Sequence, residues 1–153
     1  RKNRGAIVRE ISATEILNLL DVRVALECKA LELAVPNMIE QDFVLLRDIL
    51  DEYSHETTPA AWSALNVRFH HGLYEPCGNP HLLAMIEDLR ARIGPGMRLL
   101  VSETTGFKRP HEEHQEILAL CKAGNRKPAV DLLRRHIETT RKEIAARMRR
   151  ISR

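Results

Sequence analysis

TPAAWSALNVRFHHGLYEPCGNP, residues 58–80, is the stretch that decides how the chain folds. It opens on Thr58-Pro59 and closes on Asn79-Pro80. Each pair reads as a helix N-cap followed by proline at the first helical position, where a missing N–H loses no intrahelical bond. Between them Trp62, Leu65, Phe69 and Leu73 recur at helical spacing. A helix is therefore predicted from Pro59 to about Tyr74, with EPCG as the loop to the next. Asn66 and His70 fall inside this apolar stripe, one helical turn apart. His71, rotated by about 100° from its neighbour, falls off it.

The same punctuation organises the chain on either side. Ser12 with Glu15 reads as a capping box that opens a helix running to Val35, where Pro36-Asn37 break it. A second helix spans about Ile39 to His55. A fourth runs from Pro80 to about Glu103 and is interrupted at Gly94-Pro95-Gly96, which should kink or break it. TTGFKR, residues 104–109, reads as a loop. Pro110 starts a fifth helix that ends at Gly124, a C′ glycine, and Asn125 caps a sixth that runs to about Arg150. No internal repeat is present. The one alternating stretch is RGAIVR, residues 4–9, and a single strand cannot stand alone. The expected fold class is all-α: an antiparallel bundle of six to seven helices with short loops.

Composition agrees. A chain of 153 residues is long enough for one domain with a core. It is 44% hydrophobic but only 4% aromatic, and its wealth of Leu, Ala, Glu and Arg favours helix over sheet. No apolar run reaches 18 residues and no signal peptide is visible, so we expect neither a membrane span nor export. The three cysteines, Cys28, Cys77 and Cys121, include no CxxC and read as reduced thiols of a cytoplasmic protein. The formal charge of +3 is unevenly spread. Residues 1–10 and 141–153 hold ten Lys/Arg against two Glu, while the segment between has a net charge of −5. The basic ends could touch nucleic acid, but they read better as solvated helix termini that complement the helix dipole, and the acidic middle does not look like a DNA-binding surface.

Asn66 and His70 are not alone on an apolar face. In the fifth helix His114 continues the stripe of Ile117, Leu118 and Cys121. In the sixth, His136 lies among Ala129, Leu132, Leu133, Ile137 and Ile144. A buried imidazole must find partners or remain costly. Two readings stay open from periodicity: three separately satisfied core histidines, or three ligands that converge in the bundle on a first-row metal such as Zn²⁺. His55, His71, His81 and His111 are expected to be exposed, the last two because each follows a proline at a helix start. In the first helix Arg23 and Glu27 share a face with Ile16, Leu19, Leu20, Leu26 and Ala30. They read either as an i, i+4 ion pair at the stripe's edge or as a guanidinium aimed into a cavity to grip a carboxylate.

DVRVALECKALELAV (21–35), NVRFHHGLYEPCGNPHLL (66–83) and HEEHQEILALCKAGNRKPAVDLLRRHI (111–137) together resemble the FCD (FadR C-terminal) effector-binding domain of GntR-type transcription regulators. The resemblance covers about residues 10–150. Residues 1–9 are similar to the last strand of a winged-helix wing and its linker, which implies a DNA-binding domain upstream and an FCD-type domain over 10–153. It also implies an all-helical bundle that holds a divalent metal, Zn²⁺ or Ni²⁺, on Asn66, His70, His114 and His136. A small carboxylate effector would complete the coordination, with Arg23 gripping it, in a homodimer that binds DNA through the upstream domain. Asn66 stands where Asp is the commoner residue. Its amide is neutral, so the site holds metal less tightly or carries one more unit of positive charge toward an anionic effector. Arg68, Arg92, Arg98 and His71 are further candidates for the cavity wall.

The alternative is a helical-bundle metalloenzyme in which three histidines activate water. It lacks an evident general base. No HExxH occurs, and Glu112 and Glu113 are expected to point away from the face of His114. The expectation is a regulator, not an enzyme.

Overall fold

The computed structural model describes residues 11–152. The stretch 1–9, with its reading as wing and linker, lies outside them. Among the described residues the chain forms six α-helices and no strand: α1 (Ala13–Ala34), α2 (Glu40–His55), α3 (Pro59–Tyr74), α4 (Pro80–Thr105), α5 (Lys108–Lys122) and α6 (Arg126–Ile151). Short 3-10 turns follow α1 and α3. The predicted caps mostly act as such. The Ser12, Thr58 and Asn79 side chains accept the N–H groups of Glu15, Ala61 and Leu82 at 3.1, 3.2 and 3.0 Å. At α2 the reciprocal half of a box forms, with the Ile39 N–H donating to Asp42 Oδ2 at 2.8 Å.

Two boundaries and one cap differ from the expectation, each for a local reason. The loop expected at 104–109 shrinks to Gly106 and Phe107, because Gly106 at φ +69° turns the chain within one residue. Pro110 then sits in the first turn of α5 rather than at its start, where its absent N–H still costs nothing. Asn125 precedes α6, but its side chain makes no capping bond. Its backbone N–H instead reaches the Leu120 carbonyl at 2.9 Å while the Gly124 N–H reaches Cys121. This is a Schellman motif, and it needs Gly124 at φ +73°. Gly124→Ala is expected to cost about 1 kcal/mol in a urea titration, because an L-residue pays for that conformation.

Helix α1 lies along α6 and also packs on α3 and α4; α2 packs on α3 and α5, and α5 on α6. The main core is built from all six helices around Leu31, Leu46, Tyr53, Phe69, Leu73, Ile117, Leu133 and Ile137, each no more than 3% exposed. The buried stripe of α1 is rotated slightly from expectation: Val24, Cys28 and Leu31 face the core, while Leu19 and Leu26 lie at its edges. The break in α4 is real. Gly94 has φ +75° and ψ 162°, and Pro95 follows it. Ile93 just before the break, and Met97 and Val101 beyond it, cover a smaller cluster of Ile16, Leu20 and Ile144. A cavity opens between the two clusters. The three cysteines are buried and unpaired, and burial raises the thiol pKa to about 11 at Cys28 and about 12 at Cys121.

Candidate metal and effector site

The three stripe histidines meet. His70 from α3, His114 from α5 and His136 from α6 are all buried, and each offers a ring nitrogen within 4.8 Å of the other two. Their ring centroids stand 4.8–5.7 Å apart. Burial, reinforced at His70 and His114 by neighbouring positive groups that include Arg23, holds both pKa values well below 6.5. Burial also lowers that of His136, against the pull of Glu113. The rings are therefore neutral imidazoles with lone pairs to give.

A hydrogen bond behind His70 fixes which of its nitrogens faces inward, and a carboxylate stands behind His136. Tyr74 Oη donates its single hydrogen to Glu27 Oε1 at 2.6 Å. Its 2.9 Å contact with His70 Nδ1 must then run the other way, with Nδ1–H donating and Nε2 left as the free lone pair. Glu113 Oε2 lies 3.7 Å from His136 Nδ1 and biases that ring in the same sense. Burial works against the Glu113 carboxylate, but His136 and Arg109 hold its pKa below the usual range. Arg109 in turn bridges Glu113, Glu143 and Thr140. Carboxylates that support the distal nitrogen of a ligating histidine are the common outer shell of metal sites.

Asn66 lies one turn before His70 on α3. Its Oδ1 is buried and has no hydrogen-bond partner, and neither ring nitrogen of His114 has one. Buried polar atoms are seldom left so. An oxygen and imidazole nitrogens with nothing to bind form a donor set that fits a divalent metal. Such an ion would be held by Asn66, His70, His114 and His136, and would offer a Lewis-acidic contact to an anion.

The cavity beside these residues has a volume of about 100 Å³. Asn66, His70 and His136 line it, with Arg23 and Glu27 from α1, Arg90 and Arg98 from α4, and apolar walls of Ile16, Leu20, Ile86, Leu89, Ile93 and Val101. Arg23 pairs with Glu27 through Nε and also lines the cavity. Burial works against its charge and Glu27 more than restores it. Of the further candidates, only Arg98 lines the cavity. Arg68 pairs with Glu52 on the surface, His71 is more than half exposed beside Glu75 and Glu87, and Arg92 is exposed.

Two expectations need correction. His111 is buried, because its ring packs against both Tyr53 and Phe107 at centroid distances of 5.4 and 4.9 Å. Glu113 does not point away from the histidines, because α6 packs on that side of α5 and brings His136 to it. Tyr74, Arg90 and Arg109 were not anticipated. Tyr74 had a signal: the four-residue step from Asn66 to His70 continues to it. Arg90 and Arg109 had none, since their roles depend on which helix lies opposite.

Known proteins agree with this architecture. The FCD domain profile matches residues 18–139. The HTH-type transcriptional regulator McbR of Escherichia coli (strain K12) is 29% identical over 121 residues, 76% of this chain and 55% of that protein. The HTH-type transcriptional repressor GlaR of the same organism is 26% identical over 147 residues, 89% of this chain and 67% of that protein. The chain thus spans about half to two thirds of these relatives. A GntR-family transcriptional regulator from Pseudomonas syringae pv. tomato str. DC3000 superposes with a TM-score of 0.79 at 21% identity, over 97% of this chain and 63% of that one. The structure of E. coli McbR/YncC superposes with a TM-score of 0.75 at 23% identity, over 92% of this chain and 69% of that one. The chain belongs to the FCD domain family of GntR-type transcription regulators.

Proposed function

We propose that this chain is the sensor part of a DNA-binding regulator, in which a divalent metal and Arg23 together capture a small organic acid. The observation that carries the reading is the set of unpartnered ligand atoms in the core: Asn66 Oδ1 and the two ring nitrogens of His114, beside the rings of His70 and His136. Zn²⁺ and Ni²⁺ both suit an imidazole-rich site. An acid that enters the cavity would place one carboxylate on the metal and on the Arg23 guanidinium, whose planar fork matches it. DNA contact falls to a winged-helix domain upstream, and the working unit is a cytoplasmic homodimer. The acid changes the arrangement of the two DNA-binding heads only as far as it binds one arrangement better than another. No helix among the described residues is long and apolar enough to cross a membrane.

Family membership sets the metalloenzyme alternative aside, and the two carboxylates near the histidines are already engaged. Glu27 is held by Arg23 and Tyr74, and Glu113 by Arg109.

Native mass spectrometry of the purified protein with added zinc or nickel tests the reading. One ion per chain is expected, with loss of binding in His70→Ala. Asn66→Asp is expected to tighten the site, since a carboxylate replaces a neutral amide. If neither ion binds, and His70→Ala alters neither stability nor acid binding, the reading fails.

A further inference from the structure

The cavity carries more positive charge than one carboxylate can meet. Among the described residues Glu27 is the one acidic residue on its wall, and it is committed to Arg23. Arg90, 16% exposed, is met by Glu87, whose side chain is half in solvent. Arg98 has no acidic partner among the described residues; its Nη1 donates to the Arg90 carbonyl at 3.2 Å. The metal donors are neutral, so a divalent ion would bring both of its charges uncancelled. A monocarboxylate shared by the metal and Arg23 would leave Arg98 in a partly desolvated space with no anionic partner, beside an Arg90 met only by a half-exposed Glu87.

The pair exists because α4 is broken. In an unbroken helix, residues eight apart are separated by about 12 Å along the axis. The turn at Gly94 folds the second half back, so that the Arg98 guanidinium reaches the Arg90 carbonyl. The wall nearby is aliphatic: Ile86, Leu89, Ile93 and Val101 come from the same two halves of α4.

We propose that Arg90 and Arg98 form a second anion subsite, and that the cavity takes a short acid with an anionic group at each end of an apolar spacer. One end would lie at the metal and Arg23, which rests on the function proposed above. The other would draw Arg98 from the Arg90 carbonyl into a paired contact with both guanidinium groups. A carboxylate or a phosphate-type group would suit that fork. The ligand class is therefore a dianionic small acid rather than a fatty or simple monocarboxylic acid.

The test is calorimetry on the zinc-loaded protein with matched probes: butanoate against butanedioate, hexanoate against hexanedioate, and 3-phosphonopropanoate as the phosphate-type arm. At least one dianion is expected to bind about tenfold or more tightly than its monoanion, the scale of a charge-assisted hydrogen-bond pair. The arm that binds best names the second group. Arg98→Met should erase that advantage and leave the monoanion affinity, the zinc stoichiometry and the melting temperature unchanged. Arg98→Lys should keep part of the advantage. The subsite is overturned if monoanions and dianions bind the wild-type protein equally, or if Arg98→Met weakens both alike. If zinc binds and none of the acids does, the effector reading fails and the subsite with it.

Discussion

Zinc at about a thousand times its dissociation constant is expected to raise the melting temperature by on the order of 10 °C, and EDTA to reverse the rise. Mass action supplies about 4 kcal/mol at that excess, and a domain of this size gains roughly 2–4 °C per kcal/mol. On the proposed reading the ion would bind the folded chain alone, because only folding brings the ligands on α3, α5 and α6 together. His114→Leu separates this account from one in which the histidines are merely core polar groups. The His114 ring nitrogens have no partner in the protein, so a similar-sized apolar side chain should leave the chelated protein as stable as wild type or more so. The same variant should lose the zinc response altogether. A wild-type melting temperature indifferent to both zinc and EDTA would sink the metal site.

The chelated protein should also lose stability in mild acid, and the sign follows from the histidines. His70, His114 and His136 all have folded pKa values below 6.5, the value they regain when the chain unfolds. As pH falls through 6.5 the unfolded chain takes up protons that the folded core refuses. The histidine contribution is therefore fully present above that pH and declines below it, by up to about 1.4 kcal/mol per pH unit for each ring. Urea titrations at pH 7.5 and 5.5 measure the loss; equal or greater stability at pH 5.5 would show that these rings are not buried and neutral.

How much of this was legible in the sequence depended on how local each signal is. The helix starts at Pro59 and Pro80 and the break at Gly94 follow from properties of one or two residues, and they appear where expected. The inward faces of His70, His114 and His136 follow from helical period, which needs no knowledge of the partner helices. That the three rings meet could not be read from period. It depends on α5 and α6 packing together beside α3, and the resemblance to a known family, not the spacing, anticipated it. What failed was relational. His111 looked exposed because its own helix says so, yet Tyr53 from α2 and Phe107 from the preceding turn cover it. Glu113 looked irrelevant because it is off the His114 face, yet it belongs to His136 on another helix. Glu27 looked like only the i, i+4 partner of Arg23, and its bond to Tyr74 on another helix was not legible.

Glu27→Ala is expected to be among the most damaging single changes in the protein. Glu27 is 2% exposed and accepts from both Arg23 and Tyr74. Removing the carboxylate takes away the acceptor of the Tyr74 O–H and leaves the Arg23 charge without its counterion. Breaking a buried pair from one side costs about 3–5 kcal/mol. Arg23 keeps 20% of its side chain in contact with solvent, which favours the lower end: about 3 kcal/mol, or roughly 6–12 °C in melting temperature. Tyr74→Phe reaches the site by the other route. It leaves the Arg23–Glu27 pair intact and removes the oxygen that accepts from His70 Nδ1, so the ring loses what fixes its tautomer. Zinc affinity should fall about 10- to 100-fold, the usual cost of losing an outer-shell partner, while melting in EDTA changes much less than in Glu27→Ala. Should Tyr74→Phe bind zinc as tightly as wild type, the chain from Arg23 through Glu27 and Tyr74 to His70 would be a structural brace only. Should it weaken zinc without unfolding the protein, one hydrogen-bonded relay joins the arginine proposed for the acid to the histidine proposed for the metal. The two halves of the effector site are then built to be felt together.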